Sequence, residues 1–279
     1  MDLGIQGLRV LVTAGASGIS LEIARAFVRE GAHVFICDVD AAALARLATS
    51  DPRLASCVCD VADRDQVQAV VDFAVAEFGG LHAMCNNAGL SDNSFGPMLE
   101  QDFARFDAIM KVNLLGVMLG TQIAGRHMIK NGGGSIINTS SIGGVHAGFG
   151  FTMYRAAKAA VLNFTKLAAI ELGPDLVRVN CICPGNILTE MAAYAAPEPG
   201  MTQADVQRMQ DAVLAVRMSR QPLKRQGSPR DIGQTMLFLA SDRSAQMSGQ
   251  IISVDGAATA GDPRSVIQEM LEARAALGF

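Results

Sequence analysis

Leu8-Arg9-Val10-Leu11-Val12-Thr13-Ala14-Gly15-Ala16-Ser17-Gly18-Ile19-Ser20 is the stretch on which the reading of this chain turns. Residues 8 to 13 form a short β-branched run that ends in a loop of small residues, and Ile19, Ile23, Ala24 and Phe27 then recur at helical spacing. The order is strand, glycine loop, helix. Such a loop lets backbone approach a pyrophosphate, whose charge the helix N-terminus stabilises. A second strand, Val34 to Cys37, ends at Asp38, twenty residues past Gly18, where a carboxylate accepts hydrogen bonds from both hydroxyls of an adenosine ribose. Neither Ala16, Ser17 nor Val39 supplies the cation that a 2'-phosphate needs, so the pattern favours NAD over NADP.

The alternation continues outward from there. A third strand covers about 54 to 59, and Val67, Val70, Val71, Ala74 and Phe78 then mark a helix opened by Asp63 and Gln66 and closed by Gly79-Gly80. A fourth strand, 81 to 86, runs into Asn86-Asn87-Ala88-Gly89. Phe103, Phe106, Met110, Leu114, Val117 and Thr121 trace one face of a long helix reaching about residue 130. A fifth strand, Ser135 to Thr139, delivers Ser140-Ser141. A helix from about 152 to 172, a sixth strand from Arg178 to Cys183 and then Pro184-Gly185 follow. Ser228, Pro229 and Asp231 open another helix, and Ile251 to Val254 is the seventh strand. This rhythm predicts an α/β fold, a doubly wound parallel sheet of about seven strands, Rossmann-like, with ligands beyond the carboxyl ends of its strands. One dinucleotide-binding and catalytic domain spans 1–256. Residues 190 to 224 interrupt it as a helical excursion over the sheet edge, in which Ala204, Val206, Met209, Val213 and Val216 read as an amphipathic helix. Residues 257–279 form a C-terminal extension, predicted helical from the spacing of Val266, Ile267, Met270, Leu271 and Leu277.

Composition limits the function classes. Of 279 residues half are hydrophobic and 28 are glycine, enough for one well-buried domain. The net charge of -4 is interspersed, with no basic stripe for nucleic acid. A basic-then-apolar opening and an uninterrupted apolar run of about 18 residues are both lacking, so the expectation is a cytoplasmic protein with no membrane partner. Six cysteines, at 37, 57, 59, 85, 181 and 183, show no C-x-x-C pair and read as buried reduced thiols rather than metal ligands.

Chemistry is carried by Tyr154-Arg155-Ala156-Ala157-Lys158. On a helix beginning near Thr152, the tyrosine and lysine project from one face about one turn apart, so an ammonium approaches a phenol. That cation and an oxidised nicotinamide both favour phenolate, moving the phenol from its ordinary pKa of about 10 toward neutral pH. A serine hydroxyl beside it would hold a substrate oxygen.

Together these motifs resemble the short-chain dehydrogenase/reductase family, in its compact single-domain branch, over roughly residues 6 to 256. The family's T-G-x-x-x-G-x-G falls on Thr13 to Ser20, with Ala14 and Ser20 in place of two glycines and Gly15 expected to supply the flexibility that Ala14 gives up. The resemblance implies a cofactor site made by Thr13, Gly15, Ser17, Gly18, Ile19, Asp38, Asp60, Val61, Asn87, Ala88, Gly89, Tyr154, Lys158, Pro184, Gly185, Ile187 and Thr189. It implies a catalytic set of Asn113, Ser141, Tyr154 and Lys158, with Ser141 preferred to Ser140 because it stands thirteen residues before Tyr154. In the implied mechanism Ser141 holds the substrate hydroxyl and Tyr154 takes its proton as hydride leaves for the nicotinamide. Lys158 lowers the tyrosine pKa and binds the nicotinamide ribose, and a water at Asn113 completes the proton relay. His146 is a candidate substrate contact, with Phe149 and Phe151 lining the same pocket. Residues 190 to 224, where the family places a helical substrate loop, supply Met191, Tyr194, Met201, Met209 and Met218 with few inward charges, so the expected substrate is a hydrophobic secondary alcohol or ketone; Arg217, Arg220, Lys224 and Arg225 flank the loop, and one of them turned inward would admit a carboxylated or coenzyme A-linked substrate. An NADPH-dependent 3-oxoacyl thioester reductase and a non-catalytic nucleotide-binding regulator are the alternatives. The broad apolar faces of the 102–130 and 152–172 helices, with the resemblance, lead us to expect a homotetramer.

Overall fold

Strand residues in this chain alternate between two cores. In β1 (Arg9–Thr13) Val10 and Val12 enter one apolar cluster and Leu11 the other, and in β2 (His33–Asp38) Val34 and Ile36 oppose Phe35 and Cys37 in the same way. A strand apolar on both faces requires a layer of helices on each side. The computed structural model shows that arrangement and describes residues 2–47, 51–92, 95–187 and 200–277. The remaining strands are β3 (Leu54–Val58), β4 (Ala83–Asn86), β5 (Gly134–Thr139), β6 (Val177–Pro184) and β7 (Ile251–Val254). All seven pair in parallel in the order β3-β2-β1-β4-β5-β6-β7. The order reverses between β1 and β4, so the crossovers diverge there and leave a cleft beyond the strand ends.

The helices are α1 (Gly18–Arg29), α2 (Ala41–Arg46), α3 (Arg64–Phe78), α4 (Phe106–Met110), α5 (Gly116–Lys130), α6 (Ile142–Val145), α7 (Thr152–Leu172), α8 (Gln203–Arg220), α9 (Pro229–Ala240) and α10 (Val266–Ala276). Ile23 and Phe27 of α1 and Ile232 and Met236 of α9 are buried in the core of one face; Val67, Val70 and Val71 of α3 and Ile123 of α5 are buried in that of the other. Fully burying a side chain such as Phe27 or Ile136 contributes about 1.5–3 kcal/mol relative to exposure.

Local signals account for the helix ends. Asp63 caps α3 by accepting the N–H groups of Asp65 and Gln66, and Gly79 stops it in the left-handed region at φ 76°. Ser228, Pro229 and Asp231 form the start of α9 with a capping box.

The long helix differs from its expected face. A π-helical turn, Lys111–Leu115, joins α4 to α5 and rotates the later turns relative to the earlier ones; Ile109, Asn113, Val117 and Thr121 are among the buried positions, while Phe103 and Phe106 are exposed. The cysteines are free thiols, five of them buried and Cys57 half-buried. The extension folds as α10 with no residue buried.

Candidate active site

The glycine loop leaves β1 at Thr13, whose Oγ1 accepts the backbone N–H groups of Asn87 (2.9 Å) and Ala88 (3.0 Å). One hydroxyl thereby ties together the strand ends on either side of the cleft. The loop corrects one expectation. Ala14 itself takes the left-handed conformation, φ 54°, and Gly15 does not. What Gly15 provides is room, since a Cβ there would lie 2.5 Å from the Ile36 Cβ. Ser20, standing for the last glycine, is buried and accepts a hydrogen bond from Asn87 Nδ2.

Asp38 ends β2 with its carboxylate accepting the N–H of Ala16 (3.1 Å) at Oδ2 and that of Asp40 (3.0 Å) at Oδ1. Each oxygen keeps a further lone-pair direction for a hydroxyl donor. Asp60 accepts the Ala62 N–H, and Val61 is buried beside it. Asp38, Asp60 and Val61 do not line the central cleft.

That cleft, about 340 Å³, is lined by Ser17, Gly18 and Ile19 from the loop, Asn87 and Gly89 after β4, and Pro184, Gly185 and Ile187 after β6. Ser141, Tyr154 and Lys158 line it too, so the structure assembles the expected catalytic and cofactor groups around one space. Thr189 and residues 191–196 lie outside the described residues. A dinucleotide fits on an observation of the protein itself: Asn87 Oδ1 and Thr139 Oγ1 are buried without a hydrogen-bond partner among the described residues, and both residues line the cleft.

Ser140 and Ser141 divide their roles. The Ser140 hydroxyl donates to the Lys158 carbonyl (2.7 Å), holding α7 to the sheet, whereas Ser141 caps α6 by accepting the Gly143 N–H (3.0 Å) and hydrogen-bonds Tyr154. Lys158 Nζ donates to the Thr139 carbonyl (2.9 Å) and lies 5.7 Å from the centre of the Tyr154 ring.

Burial works against the cation in the cleft. Burial raises the Tyr154 phenol above its ordinary pKa, and the Ser141 hydrogen bond offsets only part of that rise. Burial also lowers Lys158, to about 8, so the neighbouring cation is itself weakened by the desolvation it was expected to counter.

Asn113 spends its side chain on backbone: Oδ1 accepts the Leu90 N–H and Nδ2 donates to the Leu90 carbonyl, both at 2.8 Å. It pins the segment after β4 against the π turn. Asn86, by contrast, points into a buried polar seam. Its Nδ2 donates to Asn138 Oδ1 (2.9 Å) and Thr121 Oγ1 (3.2 Å), and Asn138 Nδ2 donates to Thr165 Oγ1 (3.0 Å). Gly120 makes this possible, because a Cβ there would sit 2.0 Å from Asn86 Oδ1.

His146 is not brought into the cleft. It is exposed, and its carbonyl accepts a hydrogen bond from Arg155. Phe149 is 100% exposed, whereas Phe151 lines the cleft and meets Phe95 edge-on at 5.2 Å.

One residue escaped the sequence reading. Buried Asp92 accepts the N–H groups of Met153 (2.9 Å) and Tyr154 (3.1 Å), capping α7 from across the chain. An aspartate three residues past Gly89 was the available signal. Arg217, one of the cations that flank residues 190 to 224, lines the cleft.

A parallel sheet with a dinucleotide cleft at its switch point, and a serine, tyrosine and lysine converging there, defines an oxidoreductase that uses a nicotinamide cofactor on alcohol or ketone groups. The family model described as Enoyl-(Acyl carrier protein) reductase matches residues 13–259. The 3-oxoacyl-(acyl-carrier-protein) reductase FabG of Thermotoga maritima is 36% identical over 90% of this chain and 98% of that protein. The 3beta-hydroxysteroid dehydrogenase 2 of Eggerthella lenta is 37% identical over 90% of this chain and 95% of its own length. Among solved structures, levodione reductase superimposes with a TM-score of 0.82 at 30% identity, covering 92% of this chain and 99% of that one. The chain belongs to the short-chain dehydrogenase/reductase family.

Proposed function

We propose that this protein is an NAD-dependent dehydrogenase that interconverts a hydrophobic, ring-containing secondary alcohol and its ketone. The observation that carries the reading is the convergence of Ser141, Tyr154 and Lys158 on one cleft, with the Asp38 carboxylate at the end of β2. A bound nicotinamide supplies hydride exchange at its C4. The chain's own residues handle the proton and the oxygen. Ser141 orients the substrate oxygen, and Tyr154 takes the carbinol proton in oxidation or gives it back in reduction. Lys158, held by the Thr139 carbonyl, lies beside the phenol and would hold the nicotinamide ribose. Asn113, by holding Leu90, keeps the neighbouring backbone in place for a water that passes the proton on. Asp38 would repel a 2'-phosphate while accepting from ribose hydroxyls, which supports NAD. The apolar side chains Ile142, Phe151 and Ile187 in the lining support a hydrocarbon substrate.

Turnover of cyclic secondary alcohols with NAD and with NADP tests the proposal. NAD is expected to be preferred, Asp38→Ala to narrow the gap by weakening NAD, and Tyr154→Phe to retain cofactor binding while losing at least ~100-fold in turnover. A wild type that works better with NADP, or near-normal turnover in Tyr154→Phe, would overturn it. The likeness to a 3-oxoacyl-(acyl-carrier-protein) reductase supports a second reading, NADPH-linked reduction of 3-oxoacyl thioesters, which the same assay separates by offering those thioesters with NADPH.

A further inference from the structure

The first turn of α1 meets the cleft without a cap. Ser17 stands at the N-cap, but its side chain accepts no N–H and no acidic residue occupies the turn, whereas Asp40, Asp63 and Ser265 cap α2, α3 and α10 with a side-chain oxygen. The N–H groups that open a helix have no partner within it. Ser17, Gly18, Ile19 and Ser20 all line the cleft, so an anion seated there would supply the missing acceptor.

Ser20 is the residue of that turn in which this chain departs from the glycine of the family motif. Its side chain is a second observation beside the bare helix end. Ser20 is only 4% exposed, and its hydroxyl oxygen accepts a hydrogen bond from Asn87 Nδ2. Among the described residues that is the one hydrogen bond of the Ser20 side chain. A helical serine commonly donates to the carbonyl three or four residues back, and Ser20 does not. A hydroxyl that accepts still has one proton to give, so a buried donor is left facing the cleft. Such a donor gains most from an anionic oxygen, because hydrogen bonds to ionised groups are about twice as strong as neutral ones.

We propose that Ser20 binds the cofactor directly, its hydroxyl donating to a pyrophosphate oxygen of the dinucleotide while the Asn87 amide holds the side chain in place. A glycine at this position offers neither the donor nor the tether. The inference rests on the reading of the cleft as a nicotinamide-dinucleotide site and applies to NAD and NADP alike.

Binding measurements decide the matter without turnover. NADH or NADPH, whichever binds more tightly, is followed by its fluorescence and displaced by ADP-ribose, which carries the pyrophosphate, and by adenosine, which does not. In Ser20→Ala and in Ser20→Gly the affinity for ADP-ribose should fall at least ~10-fold relative to that for adenosine, as expected for a hydrogen bond to a charged group. The loss should persist when Ser20→Ala is made in an Asn87→Ala chain, because the acceptor is the phosphate and not the amide. Affinities that stay level, or that fall equally for the two ligands, would overturn the inference. A loss that vanishes in the Asn87→Ala chain would overturn it too, since Ser20 would then serve only to hold Asn87. Tighter binding of NADPH together with the expected loss would overturn the NAD reading and leave this one standing. A wild type that binds neither dinucleotide would overturn both.

Discussion

Lys158 combines two demands that conflict in one side chain. Its position beside Tyr154 requires a charge, and its burial opposes one, so its pKa falls to about 8 from an ordinary 10.5. The same shift appears in stability. Between these values the unfolded chain binds more protons at this residue than the folded chain does, so stability should rise with pH across that window. Below about pH 8 the buried ammonium costs about 3 kcal/mol relative to the neutral amine, and the cost disappears by pH 10.5. Urea denaturation of wild type and Lys158→Met from pH 7 to 10.5 checks this. The wild type should gain on the variant as pH rises, and a constant difference would remove the linkage. The same desolvation favours protonated Tyr154, which suits its role as the acid in ketone reduction and leaves oxidation to benefit from rising pH.

At the scale of the element, α7 is unusual in being capped from a distance. Its own N-cap, Phe151, is left-handed at φ 54° and offers no side-chain acceptor; the acceptor is Asp92, 61 residues before Met153. Asp92→Ala should cost about 2 kcal/mol by leaving helix N–H groups unmet, and Asp92→Asn should recover part of that through its carbonyl oxygen. The aspartate also raises the Tyr154 pKa. In Asp92→Asn the alkaline limb of the ketone-reduction profile should therefore move to lower pH, an effect that a purely structural cap would not produce.

This contact also shows why part of the site was illegible in sequence. Strand runs, the glycine loop, the Ser228-Pro229 helix start and the helical tail are local signals, and each lies where its residues placed it. Asp92 has no local signature because its partners are reached only through the fold. Spacing alone also misled at α8, where Val216 continues an apolar count but Arg217 faces inward. Along the long helix the π turn broke the 3.6-residue periodicity that the count of Phe103, Phe106 and Met110 assumed.

The molecule exposes large apolar side chains along α4, α7 and α10. Ile170 and Leu167 of α7 are 76% and 50% exposed, Phe106 of α4 is also exposed, and α10 presents Val266, Ile267, Met270 and Leu271. We propose that these faces pair across two-fold axes in a homotetramer. Light scattering at micromolar concentration should give four times the chain mass, and Ile170→Glu should lower it; a stable wild-type monomer would rule the assembly out. Within each chain, the seam of Asn86, Thr121, Asn138 and Thr165 joins β4, α5, β5 and α7. Asn86 and Asn138 are direct register partners, and a slip of one residue would turn one amide to the opposite face and strand the other's donor in hydrocarbon. The seam thus ties the register of β4 and β5 to the docking of α5 and α7. Its hydrogen bonds form only when all four elements are docked in register, and that register sets Asn87 and Ser141, beyond the two asparagines, at the cleft.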